Sequence, residues 1–132
     1  PFRVGKKLAE EIRKVTPVIF VDMHAETTSE KAAIAFYLDG FVSAVIGTHT
    51  HVQTSDEHVL AGGTAFLTDA GMTGATDSII GMRKEAIIDK FLTRMPARFE
   101  VATKGVELQG AVITVDGATG RAMKIERLKE PV

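Results

Sequence analysis

Hydrophobic residues recur at helical spacing at the start of the chain. Within residues 2–15 the apolar positions fall three or four residues apart, and charged residues fill the positions between them. This pattern predicts an amphipathic helix that the Thr16-Pro17 pair ends. The following residues, 18–21, are an apolar run without polar alternation, which predicts a strand buried on both faces. The apolar positions of the predicted helix are Val4, Leu8, Ile12 and Val15.

A second helix and a second strand follow in close order. Residues 27–29 are two threonines and a serine, residue types that cap helix N-termini, and the apolar residues after them extend to Gly40, a typical helix stop. Residues 42–46 are again a short apolar run that predicts a buried strand. The segment 17–47 therefore reads as strand, helix, strand, the right-handed crossover of a parallel sheet.

The remainder of the chain predicts short strands around one further helix. Residues 65–68 form a strand near Gly62-Gly63, and a turn-rich loop covers residues 69–77. Helical spacing returns over residues 83–95, with Ile87, Phe91 and Met95 predicted as core. Strands are predicted at 99–102, 106–115 and 121–128, the last two joined as a β-hairpin by the turn at 116–120. The chain is predicted to be one α/β domain, residues 1–132, with a mixed sheet and a C-terminal hairpin.

Composition narrows the class of protein. The 132 residues are 45% hydrophobic and 25% charged, which is typical of a globular domain. The net charge of -1 disfavours binding to DNA or to an anionic membrane. The absence of cysteine excludes disulfides, thiolate ligands and a cysteine nucleophile. No apolar run reaches the roughly 20 residues of a membrane span, and no signal peptide opens the chain, so we expect a cytoplasmic protein.

Histidine supplies the candidate chemistry. His24, His49 and His51 each follow the end of a predicted parallel strand, where loops converge on ligand sites in open sheets. His49 and His51 are two residues apart, so in an extended segment their side chains point to one side, with Cα atoms about 7 Å apart. Such rings could hold one metal together or one metal each. The alternative is that each histidine is structural, as a lone histidine usually is.

Carboxylates also lie at these strand ends. Asp22, Glu26 and Asp69 could each orient a metal-binding imidazole, or could instead serve as a helix cap or a turn residue.

The remaining residues with possible chemistry are weaker candidates. His58 lies beyond the histidine cluster and is predicted to be solvated. The glycines of residues 69–74 lack the spacing of a nucleotide-binding loop, and no serine lies in a nucleophile-elbow motif.

Three separated segments carry a family resemblance. Residues 21–31 (VDMHAETTSEK), 47–54 (GTHTHVQT) and 68–74 (TDAGMTG) resemble the YmdB-like family of bacterial metallophosphoesterases, within the calcineurin-like superfamily. The resemblance implies a four-layer α/β/β/α sandwich and a centre of two divalent metal ions, iron or manganese, with zinc as an alternative. It also implies hydrolysis of small phosphodiesters, including 2',3'- or 3',5'-cyclic nucleotides.

The resemblance places individual residues. It assigns His24 and His49 to one metal and His51 to the other. Five further residues are predicted to lie beside the metals or the substrate: Asp22, Glu26, Thr48, Asp69 and Gly71.

The family's remaining motifs do not occur in this sequence. These are an early metal-binding aspartate, a Glu-Asn pair and an Asn-His motif with the catalytic histidine, and this sequence contains no asparagine. We therefore expect the chain to represent the C-terminal half of the family's fold, to be inactive alone and to associate through uncovered surface, as a homo-oligomer or with the missing half. The alternative is a non-catalytic metal-binding or regulatory module that keeps the fold.

Overall fold

The computed structural model describes all 132 residues and contains three helices and two β-sheets. The helices are α1 (Phe2–Ile12), α2 (Thr28–Tyr37) and α3 (Lys84–Thr93). The first sheet has the order β1-β2-β4-β3 and contains β1 (Phe20–His24), β2 (Ala44–Thr48), β3 (His58–Val59) and β4 (Ala65–Leu67). The second has the order β5-β6-β7 and contains β5 (Gly74–Ala75), β6 (Val106–Val115) and β7 (Ala122–Pro131). The predicted mixed α/β class with a C-terminal hairpin is confirmed.

The parallel crossover brings two strand ends together. Strands β1 and β2 pair in parallel, with α2 between them in sequence, as the strand-helix-strand pattern predicts. The register sets His24 opposite Thr48 at the carboxyl ends of the two strands. Strand β4 pairs with β2 in parallel, and β3 returns antiparallel beside β4. The loops after β1, β2 and β4 therefore leave the same edge of the sheet.

Hydrophobic contacts hold the layers together on both faces of this sheet. Because side chains alternate along a strand, Val45 of β2 packs towards α1 and α2, while its neighbours Ala44 and Ile46 pack towards the hairpin. On the hairpin side, Ala122 and Ile125 of β7 complete the cluster. The chain thus forms a helical layer and two sheets, and a four-layer sandwich stays a prediction. None of the three helices combines the length and the apolar character that a membrane-spanning segment requires.

Strand β1 differs from its prediction. The sequence predicts a strand at residues 18–21 that is buried on both faces, whereas the strand begins at Phe20 and its residues alternate between exposed and half-buried. The strand lies at the edge of the sheet, and the Phe20 side chain is 60% exposed. The apolar run is therefore only half buried, because no other element of the chain covers its outer face.

Helix α1 packs through a face that the sequence does not favour. Ala9 is buried, and Gly5 lies against Ile34 and Leu38 of the neighbouring α2 region. The predicted apolar stripe instead faces solvent, with side chains between 42% and 88% exposed at Val4, Leu8, Ile12 and Val15. Small residues allow the backbone of α1 to approach α2 closely, and this leaves the larger apolar side chains on the outside.

Helix α3 also exposes most of its apolar side chains. Ile87 is buried, but Phe91 is 78% exposed and Met95 65% exposed, so the prediction of a core stripe is wrong for two of its three residues. The predicted strand at 99–102 is also wrong, since only a single bridge forms there, between Met82 and Val101.

Candidate metal centre

Two imidazoles meet at the carboxyl ends of β1 and β2. His24 is the last residue of β1, and His49 follows the last residue of β2. Their rings lie edge to face with centroids 5.0 Å apart, and His24 Nε2 is 3.2 Å from His49 Nδ1. Both side chains are exposed to solvent. The predicted convergence of these two histidines is what the structure shows.

A hydrogen-bond relay fixes which nitrogen of His24 carries the proton. The hydroxyl of Thr48 donates to Asp22 Oδ1 at 2.7 Å, and Thr48 Oγ1 lies 3.0 Å from His24 Nδ1. Thr48 has one hydroxyl proton, and it donates this proton to the hydrogen bond with Asp22. The N–H at Nδ1 of His24 is therefore the donor in the other hydrogen bond, and Thr48 Oγ1 is the acceptor. A neutral His24 therefore presents a lone pair on Nε2, the atom that faces His49.

The spacing of the two nitrogens suits a shared metal. Imidazole nitrogens bind zinc at about 2.0 to 2.1 Å, so two nitrogens 3.2 Å apart would subtend an angle of about 100° at the metal, close to the tetrahedral value. A carboxylate that orients a metal-binding histidine from behind is common at such sites, and Asp22 does so here through Thr48. The residues present therefore fit the histidine portion of a metal site.

His51 makes a contact of its own and does not join the contact between His24 and His49. Its Nδ1 donates to the carbonyl oxygen of Ile80 at 3.0 Å, because a carbonyl can only accept. A neutral His51 therefore also keeps a lone pair on Nε2. No three histidine or carboxylate side chains are grouped so that they could hold one metal ion, and the metal assignments of His24, His49 and His51 stay predictions.

The backbone is unusual at the same histidines. His49 has φ of 128°, His51 of 62° and Ile80 of 47°, values that residues other than glycine rarely adopt. Such conformations each cost about 1 to 3 kcal/mol and cluster at functional sites. The two histidines are thus held in place against their own backbone preference by the surrounding structure.

A buried ion pair supports the histidine loop. Asp69 and Lys31 are fully buried, with Asp69 Oδ2 2.8 Å from Lys31 Nζ. The same oxygen accepts from the N–H of Thr50, the residue between His49 and His51, at 2.9 Å. The other oxygen, Oδ1, accepts from the N–H of Gly71 at 3.0 Å. Asp69 therefore links α2, the histidine loop and the loop after β4, and it acts on the backbone rather than on an imidazole.

Opposing effects act on the pKa of Asp69. Burial raises this pKa, but hydrogen bonds from the Lys31 ammonium and from the N–H groups of Thr50 and Gly71 lower it by more. The net result is a pKa below the ordinary aspartate value, so the carboxylate is ionised at neutral pH.

Two glycines permit this close packing. A Cβ on Gly47 would lie 1.7 Å from the carbonyl oxygen of Thr68 and 2.7 Å from Cδ of Lys31. Gly71 has φ of 84°, and a Cβ there would lie 2.2 Å from the side-chain oxygen of Gln109. Gly71, which is predicted to lie near the site, thus lets the loop after β4 turn against the second sheet.

Other predicted residues lie apart from the two imidazoles. Glu26 is exposed and forms no hydrogen bond or ion pair with the site. His58 is exposed, as predicted, and its Nδ1 donates to the carbonyl oxygen of Asp56.

The sequence analysis does not identify Lys31 as a residue that supports the site. Its position one helical turn before the buried Ile34 and Ala35 places a cation on an apolar helix face, and that pattern could have indicated a buried partner.

Comparison with known proteins places the chain in a family. The family model described as "YmdB-like protein" matches residues 1–128. A Bacillus subtilis (strain 168) protein named 2',3'-cyclic-nucleotide 2'-phosphodiesterase is 53% identical over 128 residues, which are 97% of this chain and 48% of that protein.

Solved structures agree with this result. A crystal structure of a hypothetical protein from Thermus thermophilus is similar, with a TM-score of 0.90 and 42% identity over 99% of this chain and 50% of that one. A novel phosphatase from Mycoplasma pneumoniae gives a TM-score of 0.89 and 38% identity over 99% of this chain and 46% of that one. The chain thus spans about half the length of the relatives it matches. The match to the family model and the identity with the Bacillus subtilis protein show that the chain belongs to the YmdB-like family.

Proposed function

We propose that the protein is a metal-dependent phosphodiesterase and that this chain supplies the histidine portion of a two-metal centre. One observation carries the proposal: His24 Nε2 and His49 Nδ1 lie 3.2 Å apart at the ends of adjacent parallel strands, a spacing suited to a common cation. The Bacillus subtilis relative, named as a cyclic-nucleotide phosphodiesterase, supports the choice of reaction. Small cyclic nucleotides are accordingly the proposed substrates.

The chain's own side chains set up this centre. His24 and His49 would hold one cation and His51, through its free Nε2, the other, with iron or manganese as the proposed metals and zinc as an alternative. Bound divalent cations would supply Lewis acidity towards the phosphoryl oxygens. Asp22 and Thr48 keep the proton on Nδ1 of His24, so that Nε2 stays available. The Lys31–Asp69 pair holds the loop that carries His49 and His51.

The histidines supply no negative charge, and this limits what the chain can do alone. Two divalent cations usually share a bridging carboxylate, and no carboxylate lies with the paired imidazoles in a metal-binding group. We therefore propose that the 132-residue chain by itself is inactive and that carboxylate ligands and the proton donor to the leaving group come from outside it.

The test compares the intact protein with variants in the presence of Mn²⁺. Hydrolysis of 2',3'-cyclic AMP should fall at least about 100-fold in His49→Ala, because one cation loses a ligand, and should be unchanged in His58→Ala, whose exposed ring lies outside the site. The isolated chain should show no turnover. Equal rates in His49→Ala and wild type would refute the site, and metal binding without any hydrolysis would favour the non-catalytic module.

A further inference from the structure

A mainly apolar cavity of about 380 Å³ lies beside His51. Six of its eight lining residues are hydrophobic, and they come from the loop after β5, from α3 and from the segment after it. The volume falls within the range of small-molecule sites in proteins. We call it the apolar cavity, and its main walls are Ile79, Ile80, Met82, Ile87, Phe91 and Phe99.

A second cavity of about 300 Å³ with a different character adjoins it. The two share His51 and Ile80, but the second is lined mostly by polar side chains, including Ser78 and Gln109 and the cations Arg127 and Lys129. His51 therefore stands at the boundary between a polar and an apolar compartment. A ligand that fits both must join an anionic or hydroxylated group to a flat or compact apolar one.

Two aromatic rings give the apolar cavity its character. Phe91 is 78% exposed and Phe99 is 41% exposed, so both rings can be reached from solvent. The ammonium of Lys90 lies over the Phe99 ring, 4.8 Å from its centre, and this cation–π contact helps to hold the ring in its position. Exposed aromatic rings of this kind stack favourably with nucleobases of any sequence, because every base has a π face.

Ile80 connects the apolar cavity to the histidine. Its carbonyl oxygen accepts from Nδ1 of His51, and its side chain contributes to both cavities. Its φ of 47° is a genuine outlier for a β-branched residue, and such strain concentrates at ligand sites. The residue that sets the tautomer of His51 therefore also forms a wall of the apolar cavity.

We infer that the apolar cavity receives the planar base of a nucleotide substrate, with the sugar and phosphate in the polar cavity beside His51. This inference rests on the proposed function and names the part of the substrate that this chain recognises. The base would stack on Phe91 or Phe99, between Ile80 and α3. The phosphodiester would then lie beside the cation that Nε2 of His51 is proposed to hold.

Adenosine binding to the intact protein tests the inference without any phosphate chemistry. Adenosine affinity, measured by NMR titration without added metal, should fall about tenfold or more in Phe91→Ala and recover in Phe91→Trp, because stacking needs an aromatic ring. Leu92→Ala is the matched control, since Leu92 is 77% exposed on the same helix but does not line the apolar cavity. Absence of adenosine binding, or equal effects of Phe91→Ala and Leu92→Ala, would overturn the inference.

A second measurement separates the base site from the reaction. The ratio of kcat/KM for 2',3'-cyclic AMP to that for ribose 2',3'-cyclic phosphate, which lacks the base, should be about ten or more in wild type and close to one in Phe91→Ala. A ratio near one in wild type would overturn the base site and leave the phosphodiesterase intact. If neither compound is hydrolysed while adenosine binds as expected, the proposed function fails and the base site stands. A change of sedimentation in Phe91→Ala with unchanged adenosine affinity would show a protein contact instead and overturn the inference.

Discussion

At the scale of single residues, the site depends on side chains that control other side chains. His24 exposes the lone pair on Nε2 because its Nδ1–H donates to Thr48 Oγ1, and Thr48 accepts there because its own hydroxyl donates to Asp22. The sequence predicts which histidines end strands, since strand ends can be read from apolar runs. It does not reveal the relay, because the relay depends on the register that sets His24 opposite Thr48.

The relay gives the first prediction. Thr48→Val keeps the shape of the side chain but removes the hydroxyl, so His24 loses its orienting acceptor, and the affinity for Zn²⁺ or Mn²⁺ should fall about 10- to 100-fold. Thr48→Ser keeps the hydroxyl and should bind metal about as well as wild type. Isothermal titration calorimetry of the intact protein measures both. Equal affinities of the valine and serine variants would show that the relay has no influence on metal binding.

The buried ion pair gives the second prediction. Lys31→Met leaves a buried carboxylate without its cation and should lower the free energy of unfolding by about 3 to 5 kcal/mol at pH 7. The double variant Lys31→Met/Asp69→Asn removes the unpaired charge as well and should recover part of that loss. Urea denaturation followed by circular dichroism gives both values. A double variant less stable than Lys31→Met would contradict this description of the pair.

The same pair gives an expectation for acid stability. The native pKa of Asp69 lies below its unfolded value, so the stabilisation is present above the ordinary aspartate pKa of about 4 and is lost as the pH falls through the native pKa. Wild type should therefore lose more stability between pH 5 and pH 2.5 than Lys31→Met/Asp69→Asn. Urea denaturation at the two pH values measures the difference, and parallel losses would show that Asp69 does not contribute.

At the scale of helices and strands, patterning predicted the elements well and their partners poorly. The spacing of apolar residues correctly gives α1, α2, α3 and the β6–β7 hairpin, because local periodicity reports which face is apolar. It cannot report what covers that face. The apolar side chains of α1 are exposed, as is Phe20 of β1. Exposed apolar surface on this scale is typical of contacts with other protein.

Helix α1 therefore gives a prediction about association. We propose that the protein associates through the exposed apolar side chains of α1, with a second copy or another protein segment. Leu8→Glu should reduce self-association of the 132-residue chain without lowering its stability, since Leu8 is 51% exposed. Lys7→Glu, an exposed change on the same helix, is the control. Sedimentation velocity measures the outcome, and a monomeric wild-type chain at high concentration would contradict the proposal.

At the scale of the whole molecule, the fold brings together residues far apart in sequence. The parallel register aligns the ends of β1 and β2, and the buried Lys31–Asp69 pair ties the loop after β4 to the histidine loop. Sequence reasoning placed His24 and His49 together because carboxyl ends of adjacent parallel strands share an edge. It also placed His51 on the same side as His49, on the assumption of an extended segment, and the positive φ at His49 and His51 breaks that extended geometry.

The metal site itself can be observed by anomalous diffraction. Crystals of the intact protein grown with Zn²⁺ and measured at the zinc absorption edge should show an anomalous peak within about 2.2 Å of both Nε2 of His24 and Nδ1 of His49. His49→Ala crystals grown in the same way should lack it. Zinc found only at other surface histidines such as His58, with His24 and His49 left as a simple hydrogen-bonded pair, would show that the two rings do not share a cation.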